Sequence, residues 1–198
     1  MLLETHLTVD LRAGTKPELR DWATHRNVKV LCIELARGVA PRQVMLTQHG
    51  ACSVEASRQR AETLAQEVHD TCGARTCRIK VEARWPLPLH RREVVPPLYL
   101  EHHVRVATRD LESLERLAAA NAAHLSRNAY KSFPDGLQER FLTQRFGPRD
   151  DARMAARFDA LLAALASEGL PVTKVERECV LFDDNLSLDE GWLEEIPR

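Results

Sequence analysis

The chain has 198 residues, 44% of them hydrophobic and 29% charged, with a formal net charge of −1. That is the composition of a soluble globular protein, long enough for one large domain or two small ones. No stretch approaches the roughly 18 consecutive apolar residues of a membrane span, and Met1-Leu2-Leu3-Glu4 lacks the basic-then-apolar pattern of a secretory signal, so a cytoplasmic protein with no membrane partner is expected.

Residues 2–9 alternate Leu3, Thr5, Leu7, Val9 against Glu4, His6, Thr8, the period of a half-buried strand. Pro17 opens a short helix through Arg26, because proline is tolerated in a first helical turn. Residues 28–35 predict a second strand, and Gln43 to Gln48 a third after the turn Gly38-Val39-Ala40-Pro41. Ser53 is placed to cap a helix that runs to about Thr71 and stops at Gly73, and Cys77 to Trp85 forms the next strand. Pro86, Pro88, Pro96 and Pro97 stiffen residues 86–97 into an extended connector with Arg91-Arg92 exposed. Beyond it come strands near 98–107, 124–131, 138–146 and 173–182, with helices near 109–122 and 150–168. The second of these helices carries Phe158, Leu161, Leu162 and Leu165 at helical spacing and ends at Gly169.

Charge and cysteine usage narrow the class further. Residues 1–97 carry +4 and residues 98–198 carry −5, but the tail, 183–198, holds six acids against one arginine and accounts for the contrast. No concentrated basic field marks a nucleic-acid binder. Cys32, Cys52, Cys72, Cys77 and Cys179 form no close zinc pair, and Cys72 and Cys77 are too far apart for a C-x-x-C redox motif. All five read as reduced thiols in packing roles, and no cofactor is implied.

The two halves share their vocabulary. Leu3-Glu4-Thr5-His6-Leu7-Thr8-Val9 returns as Leu100-Glu101-His102-His103-Val104-Arg105-Val106, Leu46-Thr47-Gln48-His49 as Leu142-Thr143-Gln144-Arg145, and Lys80-Val81-Glu82 as Lys174-Val175-Glu176. Three co-linear matches point to an internal duplication. The expected organisation is a first unit at 1–85, the connector at 86–97, a second unit at 98–182 and an acidic tail at 183–198. The order βαββαβ, twice, resembles the ferredoxin-like fold, which implies an α+β protein with two antiparallel sheets, each carrying both of its helices on one face. The first and third strands of each unit then lie side by side at the centre. The other faces need a cover, supplied by packing sheet on sheet or by joining the sheets into one.

Period two puts Glu4, His6 and Thr8 on the face away from the helices, and Glu101, His103 and Arg105 on the equivalent face of the second unit. Thr47 with His49, and Thr143 with Arg145, can lie beside them, and Lys80, Glu82, Lys174 and Glu176 can extend the row. These residues suit a small polar or anionic ligand held by Lys80, Arg105, Arg145 and Lys174 with the histidines. They also offer two Glu-x-His pairs, Glu4 with His6 and Glu101 with His103, whose chemistry suits zinc, iron or manganese if the sheets meet closely enough for the pairs to converge. His6-Leu7-Thr8-Val9 resembles the H-x-T-x motif of the 2H phosphoesterases, two-lobed enzymes acting on cyclic phosphates and RNA ends. The resemblance implies His6 and His103 as the catalytic acid–base pair and Thr8 as a phosphate ligand. The second half departs from it, reading His103-Val104-Arg105-Val106. A structural or interaction protein that self-associates through its sheet edges is the third class left open.

Two patterns invite misreading. Asp183, Asn185, Ser187, Asp189 and Glu194 fit the ligand positions of a calcium loop, but Leu188 stands where the turn needs glycine, so a tail docked by Leu186, Leu188 and Trp192 is expected instead. His102 and His103 are adjacent on a strand and must face opposite ways.

Overall fold

In the computed structural model, residues 2–11, 17–51, 53–87 and 95–193 are described. Part of the connector, with Arg91 and Arg92, lies outside them, as do Cys52 and the tail from Glu194. The elements are β1 (Leu2–Asp10), α1 (Pro17–His25), β2 (Lys29–Leu35), β3 (Arg42–Ala51), α2 (Val54–Cys72), β4 (Arg75–Arg84), β5 (Tyr99–Thr108), α3 (Leu111–Ala120), β6 (His124–Asn128), β7 (Gln138–Phe146), α4 (Asp151–Ser167), β8 (Val172–Asp183) and a 3₁₀ turn (Leu186–Asp189). Local chemistry sets the boundaries. The Ser53 hydroxyl accepts from the Ala56 N–H at the start of α2, and Gly73, at φ 64°, ends it. Asp110 caps α3 through the Ser113 N–H.

Within each half the strands pair in the order expected of a ferredoxin-like unit, β4-β1-β3-β2 and β8-β5-β7-β6. The two sheets then join at both edges, β2 to β6 and β4 to β8, into one closed antiparallel barrel of eight strands. The sheets are therefore continuous and not stacked. Closure also removes the free edges that the self-association reading needed. A register shift falls between Thr8 and Val9 against β4 and between Arg105 and Val106 against β8, the same place in each half. Such bulges add the local twist that lets a sheet curl shut.

The helices cover the outside. Leu7, Val9, Val44 and Leu46 pack with Leu19, Trp22, Leu64 and Val68 from α1 and α2. Val104, Val106, Leu125 and Leu142 pack with Leu114, Leu117, Leu161 and Leu165 from α3 and α4. Each fully buried side chain of this size contributes about 1.5–3 kcal/mol. The apolar face of each strand thus meets helices, and the polar face turns into the barrel. His102 confirms the alternation. It is buried on the outer face against Phe146 and Phe158, and its Nε2–H donates to Gln144 Oε1 at 2.5 Å. Burial holds its imidazole down at about 4, against the opposing pull of that hydrogen bond.

Candidate functional site

The barrel encloses a lumen of about 480 Å³. Its walls differ in kind. Strands β1, β4, β5 and β8 contribute ionisable side chains, whereas Leu31, Ile33, Met45, Tyr130, Phe141 and Trp192 make an apolar wall.

The charged wall contains the same three-residue arrangement twice. His6 Nδ1 lies 2.9 Å from Thr47 Oγ1 and its Nε2 lies 2.9 Å from Glu82 Oε2. His103 Nδ1 lies 2.8 Å from Thr143 Oγ1 and its Nε2 lies 3.3 Å from Glu178 Oε2. The registers explain the recurrence: His6 stands opposite Thr47 and His103 opposite Thr143, in each case with β4 or β8 on the other side. Between the two clusters, Lys80 Nζ bridges Glu82 and Glu101, 2.8 Å from Glu101 Oε2. The result is an alternating string, His6, Glu82, Lys80, Glu101, His103, Glu178.

Alternation governs how these groups ionise. Burial favours neutral His6, but Glu82 and Glu4 outweigh it and raise its pKa. Burial likewise opposes the charge on His103, yet the hydrogen bond and charge of Glu178, with Glu101, raise it to about 9. Glu101 is pushed up by burial but held down at about 2 by Lys80 and Arg145. Glu82 lies well below the usual carboxylate range because Lys80 and His6 more than offset its burial. Glu178 is raised, by burial and by Glu82, with His103 pulling the other way. With both imidazoles protonated the string is neutral.

One end of the lumen is closed by residues 184–193. Asp189 accepts from Arg78 Nη1 and Nη2 at 2.9 Å each and from Arg145 Nη2 at 2.5 Å. Asp183 accepts from the other side of Arg78 and from the Tyr99 hydroxyl at 2.5 Å. The two aspartates of the calcium-like pattern are therefore clamped on an arginine. Trp192 is buried, donating its indole N–H to the Leu125 carbonyl, whereas Leu186 is exposed and plays no docking part. Gly38, at φ 116°, allows the close approach, since a Cβ there would lie 3.0 Å from both the Glu190 carbonyl oxygen and Trp192 Cβ. The opposite end is open, and side-chain exposure there reaches 48% at Lys174, against 7% at Arg145.

Of the residues singled out in the sequence, Glu4, His6, Thr8, Lys80, Glu101, His103, Arg105, Thr143, Arg145 and Lys174 all line the lumen. Thr47 sits behind His6, and His49 is an exposed neighbour of Glu4, 3.7 Å away. Two expectations change. Lys80 and Arg145 do not wait for an anion, because Glu82, Glu101 and Asp189 already satisfy them. The Lys-Val-Glu match is also two residues out of register: Lys80 stands opposite His6, but the residue opposite His103 is Glu176, and Lys174 is the counterpart of Arg78. The two Glu-x-His pairs do not converge as metal ligands, since the Nε2 atoms are engaged by Glu82 and Glu178 and the two Glu101 oxygens by Lys80 and Arg145. Among the described residues, no group of three or more such side chains is disposed to hold a metal ion. Sequence reasoning missed Arg78, Tyr99 and Glu178 and misjudged Asp183 and Asp189. The signal was present in the alternation Arg78, Lys80, Glu82 and Lys174, Glu176, Glu178.

No family model matches the chain, and no curated protein does. Among solved structures it is similar to the acetolactate synthase small subunit from Thermotoga maritima, at 12% identity over 93% of this chain and 97% of that one, with a TM-score of 0.32. It is similar also to a "putative glycine cleavage system transcriptional repressor", at 11% identity over 89% and 95% of the two chains, with a TM-score of 0.31. The functional reading has to come from the lumen itself. Among the described residues, no helix is long and apolar enough to cross a membrane.

Proposed function

We propose that the protein binds a small amphipathic molecule inside its barrel, and that the barrel arose by duplication of a βαββαβ unit, 1–85 and 98–182, joined by residues 86–97 and followed by an acidic tail, 183–198, of which residues 184–193 close one end. The observation that carries the binding reading is a lumen of about 480 Å³ with a charged wall facing an apolar one. That is the volume and mixed lining of a small-molecule site. A purely structural barrel of this width would be filled by its own side chains.

Hydrolysis of a phosphoester by His6 and His103, as the H-x-T-x resemblance implies, is the weaker reading. Both imidazoles line one lumen, which favours it, but each Nε2 is committed to a carboxylate and each Nδ1 to a threonine. A general acid or base needs a ring nitrogen within hydrogen-bond reach of the substrate.

The test is a thermal-shift screen of small amphipathic compounds on the wild type and on Met45→Trp, which replaces a flexible thioether on the lumen wall with a bulky indole. A compound present at about 100 times its dissociation constant stabilises the wild type by about 2.7 kcal/mol. That stabilisation should vanish in Met45→Trp. Equal stabilisation of both proteins would place the site elsewhere and refute the reading.

A further inference from the structure

We propose that the open mouth of the barrel receives a carboxylate of the ligand, with Lys174 and Arg105 as its cationic receptors. This rests on the lumen-binding reading above and adds the charge and orientation of the ligand.

The closed end shows what the mouth is built to hold. The two halves are related by a pseudo-twofold axis through the β2–β6 and β4–β8 junctions, and the strand registers give the equivalent positions. Thr8 and Arg105 stand opposite Arg78 and Lys174 respectively, while Glu4 and Glu101 stand opposite His49 and Arg145. Arg78 and Arg145, which grip the Asp189 carboxylate at the closed end, therefore have Lys174 and His49 as their images at the open end. A carboxylate supplied by the chain occupies the first position. At the image position the ammonium of Lys174 stands at the rim, paired, among the described residues, only with Glu176.

The sequence changes between the halves strengthen the mouth. Where the first half has Thr8, the second has Arg105, which adds a guanidinium to the rim. The present partners of these cations are displaceable. Arg105 Nη1 lies 3.4 Å from Glu139 Oε2 and its Nε donates to Thr173 Oγ1 at 3.0 Å. Lys174 pairs with Glu176, Lys131 shares Glu139 at 3.0 Å, and Glu4 stays 3.7 Å from His49. The Lys174–Glu176 pair is open to solvent on both sides and therefore weak, so a ligand carboxylate exchanges with it readily, while Arg105, less exposed, meets Glu139 only through the 3.4 Å approach of Nη1. The buried pairs of Lys80, Arg78 and Arg145 cannot be exchanged without stranding a desolvated charge. An anionic group thus has one place to go, the rim, and the apolar wall below takes the rest of the molecule.

The experiment uses three matched probes, 4-phenylbutyrate, 4-phenylbutan-1-ol and 4-phenylbutylamine, titrated calorimetrically into the full chain and into the double variant Lys174→Gln/Arg105→Gln. The butyrate is expected to bind the wild type about tenfold more tightly than the alcohol, as charge-assisted bonds to two cations allow. That advantage should collapse in the double variant and shrink with added salt, while alcohol binding stays unchanged. Alcohol or amine binding as tight as the butyrate, or a butyrate advantage that survives in the double variant, overturns the inference and leaves lumen binding intact. Failure of all three probes to bind overturns lumen binding and this inference with it.

Discussion

Raising the pH should destabilise this protein in a window set by His103. Its folded pKa is about 9 because Glu178 and Glu101 stabilise the imidazolium, while the ordinary value is 6.5. A group whose folded pKa is raised contributes stability that is fully present below the unfolded value and is lost as pH rises through the folded one. The contribution is therefore complete below pH 6.5 and disappears toward pH 9. At about 1.36 kcal/mol per unit, a displacement of that size corresponds to about 3 kcal/mol. His6, also raised, adds to the fall in the same direction. Urea unfolding measured from pH 6 to pH 10 on the wild type and on His103→Gln separates the two, because the difference between the curves isolates His103. NMR titration of the imidazole supplies the folded pKa directly. If the two curves run parallel across the window, or the imidazole titrates near 6.5, the alternating string does not exist as described.

Asp189→Asn weakens the anchor of Arg78 and Arg145, and breaking a buried pair of this kind costs about 3–5 kcal/mol when one partner is removed outright; urea unfolding should show a loss approaching that range, and hydrogen exchange should show residues 184–193 opening first. Gly38→Ala places a Cβ 3.0 Å from the Glu190 carbonyl oxygen at a positive φ, so it should destabilise by about 1–3 kcal/mol and speed exchange in the same segment. Leu161→Ala opens a cavity under α4 and should cost about 2–5 kcal/mol in unfolding experiments, without altering the affinity of any lumen ligand, since Leu161 packs on the outer face.

How much of this was legible in the sequence depends on which periodicity carried it. The period of two separated Leu7 and Val9 from His6 and Thr8 correctly, and the same rule put His102 outside and His103 inside. The strand and helix order of both halves followed from caps and turn residues such as Ser53 and Gly73. Closure of the barrel did not follow, because the β2–β6 and β4–β8 junctions are made by backbone hydrogen bonds that no side-chain pattern announces. The Lys-Val-Glu match misled for a related reason. A slip of two residues keeps every side chain on its face, so Lys174 and Glu176 still point inward, but their partners across the strands change. The acidic spacing of the tail reflected the reach of Asp183 and Asp189 to Arg78, a contact spanning more than a hundred residues.

The register also explains why the halves differ where they do. Lys80 and Glu176 occupy equivalent positions, opposite His6 and His103. The axis crosses the β4–β8 junction where Ala83 and Cys179 pair, so Lys80 and Glu176 lie on opposite sides of it, toward the closed and the open end respectively. Lys80 supplies the one central cation that Glu82 and Glu101 share, whereas Glu176 stays near the rim with Lys174, its side chain 35% exposed. Equivalent positions should therefore respond unequally. Lys80→Met strands two buried carboxylates and should cost about 3–5 kcal/mol in urea unfolding, with the Glu101 carboxyl rising from about 2 toward the ordinary range in a carbon-13 NMR titration. Glu176→Gln should stay within about 0.5 kcal/mol of the wild type, as a substitution at a solvated pair does. Equal losses at the two positions would mean that Lys80 is an ordinary surface lysine, and the neutral string through the lumen would have to be abandoned.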